Sequence, residues 1–237
     1  MFKLFRLVTL NFVFFLSLAQ AHSLLPDLKT ATYPLYDHYI DSTTIPGRVL
    51  LRFSNGVANI GKGRMELRGG AITGDTQKVY QRIYTTHGTY YSILAGTFIY
   101  HPTHYHTHFN DFSDYKLREI TEASGVGEII ARTEKVSFCL IDESIYNSNL
   151  SGFSSYRRYR SCGTQVQGIS VGWVDVYDST RDGQWIDVTD VASGTYWLES
   201  TADPLNRLKE SNEYNNTTRI RVTIDQSAKA SGDAGLY

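Results

Sequence analysis

A short histidine-rich stretch is the strongest chemical signal in this 237-residue sequence. Four of its seven histidines fall between His101 and His108. Alternate side chains of a β-strand share one face, so His104, His106 and His108 would present three imidazoles together. Imidazole binds copper, zinc, nickel and iron well. Because no cysteine lies nearby, we predict a nitrogen-rich metal site with open positions, the pattern of a catalytic centre.

The identity of this metal stays open between zinc and copper on residue types alone. The affinity order of divalent metals favours copper where copper is available. His101 would fall on the opposite strand face, and Pro102 interrupts the strand, so we interpret His101 as a neighbour that orients the ligands. A polar strand face carrying histidines by chance is the alternative, but it does not explain their concentration in eight residues.

Residues 1–21 have the pattern of a secretory signal. Lys3 and Arg6 precede a short apolar run at 7–18, and 19–21 reads Ala-Gln-Ala, a small-residue cleavage site. A membrane-spanning helix needs about 20 apolar residues, and this run is too short for one. We therefore expect a secreted protein, extracellular or periplasmic, without a membrane span.

An oxidising compartment allows the two cysteines to pair. A bridge between Cys139 and Cys162 would close a loop of 23 residues and stabilise the fold by about 3 kcal/mol. A role as metal ligands is the alternative, but neither cysteine is near the histidines in sequence. The polar and aromatic segment 142–161 is expected to be a long loop of the kind that carries function.

The elements that must position these residues are short, β-favouring runs bounded by Gly, Asp, Asn or Ser. The predicted strands are Arg48–Phe53, Lys78–Thr85, Gly96–Tyr100, Tyr115–Ile120, Lys135–Ile141, Ile169–Val176, Gln184–Val188, Thr195–Glu199 and Arg219–Ile224. No long window keeps a helical period. The pattern predicts an all-β fold, an antiparallel β-sandwich with long functional loops. We expect one domain over 22–237, with 226–237 as a loose tail.

Composition sets limits on partners. The chain has a net charge of −1, with 20% charged and 41% hydrophobic residues, which is ordinary for a globular protein. A dedicated nucleic-acid binder usually carries a basic excess, so we expect no nucleic-acid partner.

The order of several motifs resembles the catalytic domain of the lysyl oxidase family. These motifs are the histidine cluster, KVSFCL at 135–140, and QGISVGWVDVY and GQWIDVT within 167–189. PDL at 26–28, NIGKGRMELRG at 59–69 and ESNEYNN at 210–216 extend the resemblance over nearly the whole chain. With fewer cysteines than the animal enzymes and no large pro-region, we interpret it as a compact, microbial member.

The resemblance implies one copper(II) held by an H-x-H-x-H motif, here His104, His106 and His108. It also implies lysine tyrosylquinone, a cofactor made from two side chains of the enzyme itself. The lysine of the K-x-S-F-C motif corresponds to Lys135. The tyrosine that ends G-x-x-D-x-Y corresponds to Tyr177.

The implied reaction is oxidative deamination of primary amines, either peptidyl lysine or small amines, to aldehydes. Dioxygen is reduced to hydrogen peroxide and ammonia is released. The general base is open, with Asp111, Asp114 and His101 as candidates by proximity in sequence. The alternatives are a secreted, non-catalytic metal-binding or adhesion sandwich, and a zinc or iron enzyme that uses the three histidines directly.

The resemblance further implies a calcium site, for which carboxylate and amide oxygens are suitable ligands. The residues that match the family's early Asp-Leu pair and its E-x-D-x-x-N-N motif are Asp27, Leu28 through its carbonyl, Glu210, Asn212, Asn215 and Asn216. Asn212 stands where the motif has Asp, and the missing charge is expected to weaken the site. A polar turn before the last strand is the alternative.

Overall fold

The computed structural model describes residues 21–101, 106–133 and 137–227. Over these described residues the backbone is mainly strand and loop, with a short helical turn, α1, at Thr32–Leu35. The strands are β1 (Ser23–Leu24), β2 (Leu28–Thr30), β3 (His38–Asp41), β4 (Leu50–Phe53), β5 (Asn55–Asn59), β6 (Met65–Thr73), β7 (Thr76–Thr85), β8 (Tyr90–His101), β9 (His106–Phe109), β10 (Ser113–Ile120), β11 (Val126–Arg132), β12 (Ser144–Ile145), β13 (Val166–Ile169), β14 (Trp173–Tyr177), β15 (Trp185–Asp187), β16 (Gly194–Ala202) and β17 (Thr217–Ile224).

These strands form four sheets in which the paired strands run antiparallel. The largest has the order β13-β6-β7-β8-β9, with β1 also pairing with β7. Two four-stranded sheets have the orders β11-β10-β16-β17 and β12-β14-β5-β2, and a small sheet has the order β15-β4-β3. The sheets pack together around a shared hydrophobic cluster. The predicted all-β, antiparallel fold is confirmed.

The period of two in the sequence explains which faces meet in the core. In β7, the side chains of Val79, Gln81 and Ile83 are buried, whereas the residues between them are more exposed. Gln81 is tolerated inside because its amide donates to the carbonyl of Lys209 and accepts from the Lys209 N–H.

Two predicted strands differ from the structure. Within the described part of Lys135–Ile141, Phe138 forms only an isolated bridge with Phe109, because the N–H groups of Cys139 and Leu140 donate to the side chains of Tyr177 and Gln167 instead of continuing a ladder. The predicted strand Ile169–Val176 is divided into β13 and β14. Gly172 takes a left-handed φ of 80° between them, which turns the chain.

The segment 142–161 is mostly loop, as predicted, with the two-residue strand β12 inside it. The buried carboxylate of Asp142 organises this loop. It accepts hydrogen bonds from the backbone N–H of Ser170 at 2.7 Å and of Arg158 at 2.8 Å. The loop is therefore fastened to the start of the β13–β14 turn rather than free over the surface.

The predicted signal falls outside the described residues except for its last residue, and so does the tail beyond residue 227. Among the residues that the structure does describe, no helix has the length and apolar character needed to cross a membrane.

Candidate active site

Strand β9 holds two histidines side by side. His106 and His108 are two residues apart, and their Nε2 atoms lie 2.7 Å from each other. His108 is almost fully buried, and its Nδ1 lies 3.5 Å from the hydroxyl of Ser137. Pairing with β8 fixes the strand, with His106 opposite His101 and His108 opposite Ile99. The same-face arrangement predicted from the spacing is therefore present for these two histidines, while His104 lies outside the described residues.

Tyr177 ends strand β14, and its phenol is held by one backbone residue. The phenol oxygen accepts from the N–H of Cys139 at 2.6 Å and donates to the Cys139 carbonyl at 2.7 Å. Burial raises the pKa of Tyr177 well above its usual value, and the nearby Asp175 carboxylate adds to the shift. The phenol is therefore protonated at neutral pH in this environment.

The ring of Tyr177 packs against a series of aromatic rings that continues into the hydrophobic core. The ring of Phe138 lies 4.6 Å from that of Tyr177 in an edge-on arrangement. Tyr115 packs edge-on against Phe138 at 5.9 Å and against Phe53 at 4.9 Å. Such edge-to-face contacts fix ring orientation as well as burying apolar area. The orientation of Tyr177 is thus set by the hydrophobic core.

The disulfide predicted between Cys139 and Cys162 is present. It joins the residue that anchors Tyr177 to a residue that contacts the histidine strand. The carbonyl of Cys162 accepts from the N–H of Thr107 at 3.1 Å, between the two histidines of β9. Phe109 and Phe138 also exchange backbone hydrogen bonds at 2.7 and 3.0 Å. The histidine strand and the tyrosine are thereby tied to the same short segment.

One cavity of about 790 Å³ is lined by both histidines, Tyr177 and the disulfide. Four carboxylates also border it, while Arg181 is the basic side chain among its described lining residues. These four are Glu143, Asp175, Asp178 and Asp182. The balance of charge makes this cavity attractive to a cation.

The cavity carboxylates differ in their protonation. Asp175 is buried on the floor, and burial together with the charge of Glu143 raises its pKa well above the usual value. Asp178 is exposed at the mouth, where hydrogen bonds from Thr180 lower its pKa. The exposed position of Asp178 therefore favours its charged form, whereas burial of Asp175 favours its protonated form.

Two of the three general-base candidates chosen by sequence proximity, Asp111 and Asp114, have other contacts, and the side chain of His101 lies outside the described part of the structure. Asp111 forms an ion pair with Arg207 at 2.8 Å, and Asp114 forms one with Lys116 at 2.6 Å. Neither aspartate lines the cavity. Asp175, which sequence proximity overlooked, does line it, and it shares a face of β14 with Tyr177 because the two are two residues apart. Its place as the aspartate of the G-x-x-D-x-Y motif is the sequence signal that could have identified it.

A second polar group lies where the start of the chain meets the β16–β17 connection. The backbone N–H of Leu28 and the Nδ2 of Asn216 both donate to the carboxylate of Glu210. Asn215 donates to the Asp27 carboxylate at 2.7 Å. The structure thus brings five of the six residues expected at calcium together.

Asn212, the sixth, is exposed, and its side-chain oxygen accepts from the backbone N–H of Tyr214 at 3.1 Å. Two carboxylates that the sequence analysis did not single out, Asp203 and Glu213, lie beside Glu210. Oxygen atoms of these three acids lie within 4.8 Å of one another. Burial, together with the neighbouring charges, raises the pKa of Glu210 to about 8.

Comparison with known proteins agrees with the motifs. Residues 28–231 match the family model described as Lysyl oxidase. Protein-lysine 6-oxidase from Gallus gallus is 38% identical over 136 residues, which are 56% of this chain and 30% of the relative. Lysyl oxidase homolog 1 from Homo sapiens is 35% identical over 127 residues, 53% of this chain and 20% of the relative. Protein-lysine 6-oxidase from Sus scrofa is 35% identical over 124 residues, which are 52% of this chain and 45% of the relative.

This chain belongs to the lysyl oxidase family. It spans less than half the length of the relatives named above. Of the residues that correspond to the lysyl oxidase motifs, His106, His108 and Tyr177 border one cavity although about 70 residues separate the strand from the tyrosine. Lys135, like His104, lies outside the described residues.

Proposed function

We propose that this lysyl oxidase family member is a copper-dependent amine oxidase. It converts primary amines, either peptidyl lysine or small amines, into aldehydes, releases ammonia and reduces dioxygen to hydrogen peroxide. The observation that carries the proposal is that His106, His108 and Tyr177 border one cavity. A metal-binding pair and a tyrosine that could be modified then act on the same bound molecule.

The histidine pair fits a copper ion. Nitrogens 2.7 Å apart can both lie about 2.0 Å from one ion. Neutral imidazole is a good copper(II) ligand, and His108 is almost fully buried beside His106. We propose His104, the preceding alternate residue, as the third ligand. Copper and lysine tyrosylquinone supply the redox chemistry that unmodified side chains lack.

Tyr177 fits the role of cofactor precursor because several contacts fix the position of its ring and its hydroxyl. Its phenol is bonded to both backbone groups of Cys139, and its ring is packed on Phe138. Lys135, the proposed partner in the cross-link, is four residues from Cys139 in the sequence. The same short segment therefore carries the lysine and anchors the tyrosine.

The acidic mouth of the cavity fits a substrate that arrives as an ammonium ion. Asp178 and Glu143 attract the cation from solution, and burial of the amine beside Asp175 and His108 disfavours its charged form. A neutral amine is the nucleophilic form. The cavity thus both concentrates the substrate and favours its reactive state.

We also propose that the chain is secreted through its N-terminal segment, where the disulfide can persist. A calcium ion beside Glu210 is a further part of the proposal. Its support is the convergence of Asp27, Leu28, Asn215 and Asn216 on that region.

The test is to express the chain with copper and dioxygen and to look for the cross-link. We expect hydrogen peroxide from a primary amine, an absorbance that reacts with phenylhydrazine, and a peptide in which Lys135 and Tyr177 are joined. Tyr177→Phe should abolish all three. Tyr33→Phe, which alters an exposed tyrosine, is the matched control.

Other outcomes separate the alternatives. A copper-loaded, colourless protein whose Lys135 and Tyr177 stay unlinked would contradict the proposal. Turnover that depends on zinc or iron would indicate an enzyme that uses the histidines directly. Metal uptake without peroxide from any primary amine would indicate a binding or adhesion module.

A further inference from the structure

We infer that Asp203 and Glu213 supply the negative charge of a calcium site built around Glu210, in place of the charge missing at Asn212. The inference rests on the calcium part of the proposed function, and it assigns two ligands that are not among the six residues expected at that site: Asp203 precedes the E-x-D-x-x-N-N motif, and Glu213 occupies one of its variable positions. One of them comes from the end of strand β16, and the other from the β16–β17 connection.

The spacing of the three carboxylates suits calcium. Their oxygen atoms lie within 4.8 Å of one another. Calcium takes six to eight oxygen ligands at about 2.3–2.6 Å, so ligands on opposite sides of the ion are about 4.8 Å apart. Asp203 and Glu210 are buried and Glu213 is half-buried. Like charges gathered away from water repel one another unless a cation lies between them.

A second and independent observation points to a cation. Asn216 is 6% exposed, and among the described residues its Oδ1 has no hydrogen-bond partner, although its Nδ2 donates to Glu210 at 2.9 Å. The Oε2 of Glu213 is also buried and has no partner within the part of the chain that the structure describes. Asn216, Asp203 and Glu213 line one cavity of about 380 Å³. Buried acceptors without donors are costly, and a hard cation is a species that would satisfy several at once.

The carboxylate of Glu213 is already oriented toward this group. Its Oε1 accepts from the backbone N–H of Glu210 at 3.0 Å, which leaves the other oxygen for an ion. Asp203 is fixed in a comparable way, since its two oxygens accept from the N–H groups of Arg207 and Leu208. Asn212 instead bonds within its own turn, to Tyr214.

The location indicates what the ion would do. Glu210 receives the N–H of Leu28 in β2, so an ion at Glu210 would join the start of the domain to the β16–β17 connection. These contacts span 182 residues of sequence. Binding of calcium should therefore stabilise the folded chain, independently of any chemistry at the histidine cavity.

The experiment uses the full chain, expressed without copper and treated with chelator. Calcium chloride is titrated by calorimetry and by thermal unfolding, and magnesium chloride serves as a comparison. We expect calcium to bind and to raise the melting temperature, and magnesium to do so at least tenfold less effectively. Glu213→Gln and Asp203→Asn should each weaken calcium binding at least tenfold, while Asn212→Ala should change it less than twofold.

Three results would overturn the inference: no calcium binding by the unaltered chain, unchanged affinity in both carboxylate variants, or loss of binding in Asn212→Ala. Glu213→Gln is the decisive variant, because Asp203 also holds two backbone amides. Circular dichroism of each variant checks that it is folded. Because amine oxidation is not measured, failure here is distinguishable from failure of the proposed enzyme activity.

Discussion

The phenol oxygen of Tyr177 lies 2.6 Å from the backbone nitrogen of Cys139 and 2.7 Å from its carbonyl oxygen. A single residue thus satisfies the hydroxyl both as donor and as acceptor. Because Cys139 is also bridged to Cys162, which bonds to the histidine strand, the tyrosine and the histidines share one support. The stability of that support can be tested directly.

Removing the disulfide should lower the free energy of unfolding by about 3 kcal/mol. The bridge closes a loop of 23 residues, and its loss gives conformational entropy back to the unfolded chain. The double variant Cys139→Ser, Cys162→Ser is compared with the oxidised parent by urea unfolding. Reductant should destabilise the parent by a similar amount and leave the variant unchanged. A variant as stable as the oxidised parent would contradict the prediction.

Substituting either described histidine should weaken copper binding at least tenfold. His106→Gln and His108→Gln each remove one of two ring nitrogens that lie 2.7 Å apart, and glutamine is a poor replacement for imidazole at copper. Copper per chain is measured after dialysis against a weak chelator. His87→Gln, in the exposed turn between β7 and β8, is the control and should keep full occupancy.

The stability of the unprocessed, copper-free chain should depend on pH through Asp175. Its folded-state pKa is raised above the unfolded value near 3.8, chiefly by burial. The folded state therefore binds the extra proton, and stability is lost as pH rises from that value toward the raised pKa. The side chain introduced by Asp175→Asn cannot ionise, so the stability of this variant relative to the parent should improve in urea unfolding as pH rises above 3.8.

Asp178 should affect the pH dependence of stability in the opposite direction, and it serves as the matched comparison for Asp175. Hydrogen bonds from Thr180 lower its pKa, so its contribution is present above pH 3.8 and is lost as pH falls through the lowered value. Asp178→Asn should therefore cost stability at neutral pH and lose that difference in acid. If both variants shifted in the same direction with pH, the assignment of a buried, protonated Asp175 would be wrong.

Gly172 should be far less tolerant of substitution than another left-handed glycine. Its φ is 80°, and an added Cβ would lie 2.5 Å from the carbonyl oxygen of Asn147 and 2.6 Å from the ring of Phe153. Gly88 has a similar φ of 77°, but nothing lies within 4 Å of its Cβ position. Gly88→Ala should cost about 1–2 kcal/mol from backbone strain alone, and Gly172→Ala about 3 kcal/mol or more.

Thermal and urea unfolding of the two alanine variants provide the measurement. Their difference isolates the steric clash from the backbone term, because both positions require the left-handed region. Equal costs would show that the loop carrying Asn147 and Phe153 can move away from the added Cβ, and they would contradict the prediction.

Local patterns in the sequence predicted much of the fold and part of the site. Runs of β-favouring residues bounded by turn residues predicted about half of the described strands, including β7, β10 and β16, but they missed β5, β6 and β11. Because the sequence contains two cysteines, each had one possible partner, and this predicted the disulfide bond. The spacing of His106 and His108 predicted a shared face, because that relation is contained within one strand. The strands and the shared histidine face depend on residues close together in the sequence. The disulfide joins distant residues, but two cysteines allow one pairing.

Tertiary structure decided the features that depend on distant pairs. The chain has 17 tyrosines, and composition could not select Tyr177; the family motif did, and the fold places it on Cys139, 38 residues away. The fold likewise places Asp111 and Asp114 in ion pairs away from the cavity, and it places Asp175 in the cavity lining. Glu210, which lies in the β16–β17 connection, accepts the N–H of Leu28, 182 residues away, because the fold packs this connection against β2. Sequence spacing carries no information about such contacts, since burial and charge repulsion arise only when separate strands come together.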